Sequence, residues 1–239
     1  MSGMSDISDM ALMTLHCTTL FCLDATGRLR TVNEPGAPNP PRFWMGRTLA
    51  GNQWAFHHTL PAATVAALDE LCQAEPVPTD LRRPPQHRAA IKALLAEHAP
   101  LTSEYRGPAY WVPETVAPTA PAVLIDDSTI GLLQPHFPWA TATDPYYRMG
   151  PLAATIVDGQ AVSVCFCSRV PGQATEAGLE TLAAHRGRGY AGAAVATWAA
   201  AVYGQGCLPL YSTDWENLAS QAVARKLGLV CYGEDWSLG

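Results

Sequence analysis

Apolar positions recur at two different periods along this chain, and the switches between them mark its elements. From Thr14 to His58 short β-rich runs alternate with turn residues. TTLFCLD and RLRTV flank Ala25-Thr26-Gly27, while PRFWMGRT and QWAFHH flank Ala50-Gly51-Asn52, a pattern that predicts two hairpins. Helical spacing follows. Val65, Leu68 and Leu71 or Cys72 share a face between Pro61 and Gln73, and Ile91, Leu94 and Leu95 share one between Gln86 and His98. Proline is tolerated in the first turn of such a helix. Between Gly107 and Pro121, the prolines at 108, 113, 118 and 121 deny the backbone its regular donors. That stretch reads as irregular, and the main boundary is placed near residue 120.

The remaining segment alternates more regularly. Val123 to Ile125 starts a strand, Ser128 to Leu133 forms a short helix before Pro135, and the aromatic stretch carrying Phe137, Trp139, Tyr146 and Tyr147 is an irregular loop. PLAATIVDGQAVSVCFCSRV reads as a hairpin closed at Asp158-Gly159, since Asp-Gly between β-rich runs favours a tight turn. ATEAGLETL is a third strand, Gly189 to Tyr203 a helix with a small-residue face, LPLYSTD a strand, Leu218 to Leu227 a helix ended by Gly228, and LVCYG a closing strand. The order predicts an α/β fold. A mixed central sheet flanked by helices is expected over 121–239, preceded by an α+β accessory region of two hairpins and two helices over 1–120.

Composition narrows the function. With 239 residues, 48% apolar and 15% charged, the chain is expected to bury a sizeable core without staples. Fifteen basic against twenty-one acidic residues, a net charge of -6, disfavour a nucleic-acid partner. No apolar run reaches the ~20 residues of a membrane span, and Met1 to Met10 lacks a basic region leading into an apolar one. A cytoplasmic protein with no membrane partner is therefore expected. The seven cysteines are odd in number and lack paired C-x-x-C spacing, so they read as free thiols filling apolar space, with no metal site.

The chemistry concentrates in His185-Arg186-Gly187-Arg188-Gly189-Tyr190-Ala191, between a predicted strand and a predicted helix. Amides at a helix start have no internal acceptor, the dipole is positive there, and glycine admits a ligand close to the main chain. Two arginines complete a seat for a pyrophosphate. A plain tight turn with solvated arginines fits the same residues. Gly187-x-Gly189-x-x-Gly192, with Asp214 about twenty residues on, also satisfies a dinucleotide fingerprint. Only forty-seven residues follow Gly192, too few for two mononucleotide-binding halves.

Arg186, Gly189 and Ala191 match the Arg/Gln-x-x-Gly-x-Gly/Ala motif of the GNAT superfamily of acyl-coenzyme A-dependent N-acyltransferases. Asn217, followed by a helix ending in Lys226-Leu227-Gly228-Leu229, is similar to the superfamily's second motif. From Pro151 to Trp236 the sequence thus resembles a GNAT domain, of an uncharacterised subgroup. The resemblance implies a GNAT-like sheet that opens in a V and an acetyl-CoA co-substrate. The main chain of Thr181 and Leu182 would bind pantetheine and polarise the thioester carbonyl. Arg186, Gly187, Arg188, Gly189, Tyr190 and Ala191 would hold the pyrophosphate, and Asn217 would contact the pantetheine arm. Asn217 equally suits a helix N-cap.

Acyl transfer to an amine needs a base, a polarised carbonyl and a proton for the departing thiolate. Glu176, at the position where many superfamily members carry a general base, shares a strand face with Gly178 and Glu180. A solvated strand-face charge is the alternative for both acids. Many members carry a tyrosine seven residues after the motif asparagine, and this chain has Ala224 there. Ser220, Tyr211, Tyr232 or water are the substitutes, with Ser220 named as catalytic beside Glu176. The expected activity is N-acetyl transfer to a primary amine of a small molecule, by a chain that could pair as a homodimer. A non-catalytic acyl-CoA-binding module and a protein acetyltransferase are the alternatives. Phe137, Trp139, Tyr146 and Tyr147 are candidates for an acceptor wall or for ordinary packing.

Overall fold

The computed structural model describes residues 7–118, 120–134 and 136–239. Pro135, expected to end a short helix, and the first six residues of the stretch read for a targeting signal lie outside them. The chain divides into two compact units. The first takes the described part of Met1–Ala109 with Ser212–Glu216 and Cys231–Gly239; the second takes the described part of Tyr110–Tyr211 with Asn217–Val230. This differs from two consecutive segments meeting near residue 120. The closing strand is the reason: β11 (Val230–Leu238) runs antiparallel to β3 (Phe43–Thr48), with Trp236 opposite Met45, so most of the C-terminus belongs with the N-terminal residues.

The first unit begins with α1 (Asp9–Leu20), whose last residues Thr18–Leu20 fall in the β-rich run TTLFCLD. Ser8 caps its start by accepting the Ala11 amide. The hairpin β1 (Phe21–Leu23) with β2 (Leu29–Val32) follows, then β3 with β4 (Gly51–Phe56), both as expected. Helices α2 (Ala62–Gln73) and α3 (Arg88–His98) bury Leu68, Cys72, Ile91 and Leu95 against Phe43, Met45, Trp236 and Leu238. The opposite face carries α1: a Cβ at Gly46 or Gly233 would meet Met13. Both faces of β3 are thus covered, which is why its six residues are all buried instead of alternating.

β5 (Glu104–Trp111) occupies the stretch that its prolines marked as irregular. Pro108 lacks a donor, yet its carbonyl accepts the Thr213 amide at 3.3 Å, and the Arg106 carbonyl accepts that of Trp215. Gly107 makes the approach possible, since a Cβ there would stand 1.7 Å from the Thr213 carbonyl oxygen. In the core of this unit, the carboxylate of Glu234 accepts from Arg47, from Arg106 at 2.6 Å and from the Trp215 indole at 2.7 Å.

The second unit holds β6 (Val123–Leu124), a short 3-10 turn at Ile130–Leu133, and α4 (Pro145–Met149). It continues with β7 (Leu152–Val157), β8 (Gln160–Cys167), β9 (Ala174–Thr181), α5 (Tyr190–Gly204), β10 (Leu208–Ser212, its last residue in the first unit) and α6 (Leu218–Leu227). Strand order is β10-β9-β8-β7-β6. Every step is antiparallel except β9 to β10, so the sheet is mixed and the fold α/β. On one face, Ala194, Val195, Trp198 and Val202 of α5 pack with Cys165, Cys167 and Tyr211. On the other, Phe137, Tyr147, Leu152, Ala154 and Val164 form a separate core. No helix among the described residues is long and apolar enough to cross a membrane.

Candidate active site

β9 and β10 run side by side only briefly. Their parallel register covers Leu208↔Ala174, Pro209↔Thr175 and Leu210↔Glu176, after which β9 continues to Thr181 without a β10 partner. Alternation tells which main-chain groups are left at this fork. The amides of Ser168 and Leu182 donate to the carbonyls of Glu176 and Val162, so even-numbered residues of β9 bond to β8. Odd-numbered residues face the other way, as the Leu208 amide donating to Gln173 confirms. Beyond the last position paired with β10, Glu176, these are Ala177, Leu179 and Thr181.

Thr181 therefore stands where its amide can meet an extended ligand, but Leu182 does not. Its amide is spent on Val162 at 3.0 Å and its carbonyl accepts the His185 amide at 2.9 Å. Leu179 takes its place. Odd-even alternation along β9 carries that signal, but the phase is visible only once β8 is paired.

The chain then turns through a 3-10 segment at Ala183–His185 into the glycine turn. Gly187 and Gly189 have φ of +78° and +88°, and a Cβ at either would meet nothing within 4 Å. The turn is thus left-handed at two points and open in front of both. Gly189 is the N-cap of α5 and no side chain caps it, so the first amides of this helix lack an intrahelical acceptor. Thr155 holds the helix start by donating to the Tyr190 carbonyl at 2.9 Å. Arg186 donates from Nε to the Thr181 carbonyl at 3.3 Å, tying the turn to the strand end, and Arg188 is exposed. Ala191 lies in the first turn of the helix. The contiguous residues Arg186 to Ala191 form one open, donor-rich corner. It fits a diphosphate: the amides and cations are there, and the space a side chain would fill is empty.

Gly192 departs from the dinucleotide reading. A Cβ there would touch Leu227 of α6, and β9 and β10 form a single parallel step beside antiparallel neighbours.

Glu176 is the last paired residue of β9 and is buried. The strand is regular, so Glu176 shares its face with Gly178 and the exposed Glu180. Opposite Gly178 stands Phe166, whose ring a Cβ at Gly178 would strike. Trp139 and Tyr146 pack on Phe166 with ring centroids at 4.8 Å and 6.1 Å, and all three aromatics are half-buried. Phe137 and Tyr147, grouped with them on sequence, are core residues.

The other face of the fork carries Tyr211, the first β10 residue past the last pair, with its hydroxyl 2.5 Å from Ser220 Oγ. Burial is the main cause that pushes the Tyr211 phenol well above its ordinary pKa. Asn217 caps α6, its side chain accepting the Ser220 amide at 3.1 Å, so the capping role is realised. Ala224 is fully buried, and Gly228 ends the helix in the left-handed region. Tyr232 falls in the first unit, where its hydroxyl lies 2.6 Å from His16 Nδ1. A cavity of about 580 Å³ elsewhere in the second unit is lined by Asp126, Asp127, Tyr147 and Arg148. Its carboxylates are engaged locally, Asp126 by Ser128 and Thr129 and Asp127 by Tyr147. No group of three or more metal-ligating side chains occurs among the described residues. Burial raises the thiols of Cys165, Cys167 and Cys207.

The GNAT acetyltransferase family model matches residues 141–234, which span the fork, the glycine turn and both flanking helices. That segment is a GNAT acetyltransferase domain. Solved structures similar to the chain include a GCN5-related N-acetyltransferase-like protein from Streptococcus suis, with 16% identity and a TM-score of 0.45 over 84% of this chain and 85% of that one. Another is a GCN5-related N-acetyltransferase from Kribbella flavida, with 19% identity and a TM-score of 0.45 over 64% of this chain and 63% of that one. A GNAT-family protein from Novosphingobium aromaticivorans has 17% identity and a TM-score of 0.46 over 58% of this chain. This match takes in 65% of the Novosphingobium structure, so the chain spans slightly under two thirds of this relative and of the Kribbella one. No curated protein matches the chain. The matched GNAT segment contains Glu176, Ser220 and the whole glycine turn.

Proposed function

We propose that the protein is an N-acyltransferase that moves an acetyl group from acetyl-CoA, or a related thioester, to a primary amine of a small molecule. The observation that carries this reading is the fork. Strand pairing stops at Glu176↔Leu210, and the uncapped corner Arg186 to Ala191 follows five residues after β9 ends. A pantetheine arm suits the unpaired edge of Leu179 and Thr181, and a diphosphate suits the corner.

The thioester supplies an acyl carbon whose bond to sulfur breaks, with the electron pair leaving on the thiolate, as the amine nitrogen bonds to it. The chain's own groups do the rest. Glu176 takes the first proton of the ammonium form, which frees the nitrogen lone pair. Main-chain amides at Leu179 or Thr181 stabilise the carbonyl oxygen as it gains charge. The second nitrogen proton leaves on collapse to the amide and accounts for the proton of the released thiol.

The half-buried ring cluster of Phe166, Trp139 and Tyr146 supports an acceptor on the Glu176 face. It gives an apolar wall beside a carboxylate, which suits a cationic amine with an apolar body. The test is thioester consumption with a panel of primary amines. Glu176→Gln is expected to lower kcat by ~10²-fold or more while leaving coenzyme A affinity unchanged. Ala224 favours a second reading, a non-catalytic acyl-CoA-binding module. Calorimetric binding of acetyl-CoA without turnover on any amine would select it.

A further inference from the structure

Three hydroxyl side chains stand side by side across the second unit's sheet. Thr155 of β7 pairs with Ser163 of β8, and Ser163 pairs with Thr181 of β9, so all three point to one face. That is the α5 face, because Cys165, two residues beyond Ser163, packs with the helix. Thr155 and Ser163 are buried, and a hydroxyl cut off from water needs a partner. Each finds a main-chain carbonyl outside its own strand. Thr155, where the β7–β8 register shifts, donates to the Tyr190 carbonyl at 2.9 Å, and Ser163 donates to the Glu180 carbonyl at 3.1 Å.

A peptide unit joins the carbonyl of one residue to the amide of the next. The Tyr190 carbonyl therefore shares its peptide with the Ala191 amide, and the Glu180 carbonyl shares its peptide with the Thr181 amide. Both amides face the coenzyme side. That of Ala191 is among the uncapped donors at the start of α5, and that of Thr181 is the final one on the unpaired edge of β9.

We propose, resting on the acyltransferase reading above, that Thr155 and Ser163 are positioning residues which polarise these two amides through their peptides, Thr155 toward the diphosphate and Ser163 toward the thioester arm. A carbonyl that accepts a hydrogen bond draws electron density from its amide nitrogen, and the N–H becomes a better donor. For Ser163 the chain is one bond longer. Its single hydrogen goes to Glu180, so in the 2.7 Å contact between the two hydroxyls Thr181 is the donor. The Thr181 hydroxyl, the Ser163 hydroxyl and the Glu180 carbonyl thus run in one direction, each bond strengthening the next.

Amide-nitrogen resonances test this directly, because a hydrogen bond to the preceding carbonyl moves them downfield. In the full chain without ligand, Ser163→Ala is expected to move the Thr181 nitrogen upfield and leave Ala191 in place, and Thr155→Val to do the reverse. Ser163→Thr and Thr155→Ser keep a hydroxyl and should stay near the parent. Function is expected to divide the same way. Thr155→Val should weaken ADP, which carries a diphosphate without the arm, by about threefold, the upper end of what cooperative strengthening of a hydrogen bond to an anion gives. Ser163→Ala should leave ADP affinity unchanged and lower kcat for thioester consumption by about threefold, since charge grows on the carbonyl oxygen only in the transition state. Resonances that stay at the parent positions in both variants would overturn the assignment, as would shifted resonances with unchanged affinity and kcat, and either result leaves the acyltransferase reading intact. A parent that binds neither ADP nor coenzyme A would overturn that reading and this one with it. If either variant fails to fold, Ser163→Cys and Thr155→Ala remove the strong donor in another way and are read by the same resonances.

Discussion

The glycine corner can be tested by separating its backbone from its electrostatics. Gly189 has φ of +88°, and a Cβ there would meet nothing within 4 Å. Asn and Asp are the side chains that best tolerate this left-handed conformation, and the residual strain is ~1 kcal/mol or less for either. Gly189→Asn and Gly189→Asp should therefore melt alike. They differ by one charge at the N-terminus of α5, where a diphosphate is expected. For a carboxylate ~7 Å from one phosphate charge at an effective dielectric of ~20, Coulomb repulsion is about 2 kcal/mol, roughly thirtyfold in affinity. Calorimetry with coenzyme A should show the Asn variant close to the parent and the Asp variant about thirtyfold weaker at low salt. The gap should narrow as ionic strength rises, because the Debye length falls to ~8 Å at physiological salt. Equal affinity of the two variants at low salt would refute the reasoning, since no anion could then lie at the helix start.

Three further outcomes follow from the same structure. Arg186→Ala removes both a cation and the Nε contact to the Thr181 carbonyl; coenzyme A binding should weaken by roughly tenfold with little change in melting temperature, as measured by calorimetry and thermal denaturation. Gly107→Ala forces a Cβ toward a carbonyl oxygen that would stand 1.7 Å away, so chemical denaturation should show a loss of more than ~3 kcal/mol. Desolvation acts to raise the Glu104 carboxyl, but hydrogen bonds from Arg88, Lys92 and Trp236 outweigh it and hold the group down at about 2. With a folded pKa below the unfolded value of ~4.3, its contribution to stability is present above that value and lost as pH falls toward about 2. Glu104→Gln should therefore flatten the fall in stability across that window, and an unchanged acid limb would count against the ion cluster.

Local chemistry carried much of this molecule. Helical spacing located α2, α3, α5 and α6, Asp158-Gly159 located the β7–β8 hairpin, and the Arg186 to Ala191 motif located the corner, because periodicity, turn residues and open backbone are written in neighbouring positions. Prolines hid β5, and the β-rich run TTLFCLD hid the end of α1: Gly107 matters only because Thr213 approaches it, and the helix capped by Ser8 runs on to Leu20. Other features depend on partners distant in sequence. The fork exists because β9 outruns its pairing with β10, the choice of Leu179 over Leu182 depends on which residues β8 engages, and β11 leaves the GNAT segment to pair with β3. Strand pairing joins residues far apart in the chain, so the amino-acid order named the chemical groups while the folded sheet decided which of them face the same space.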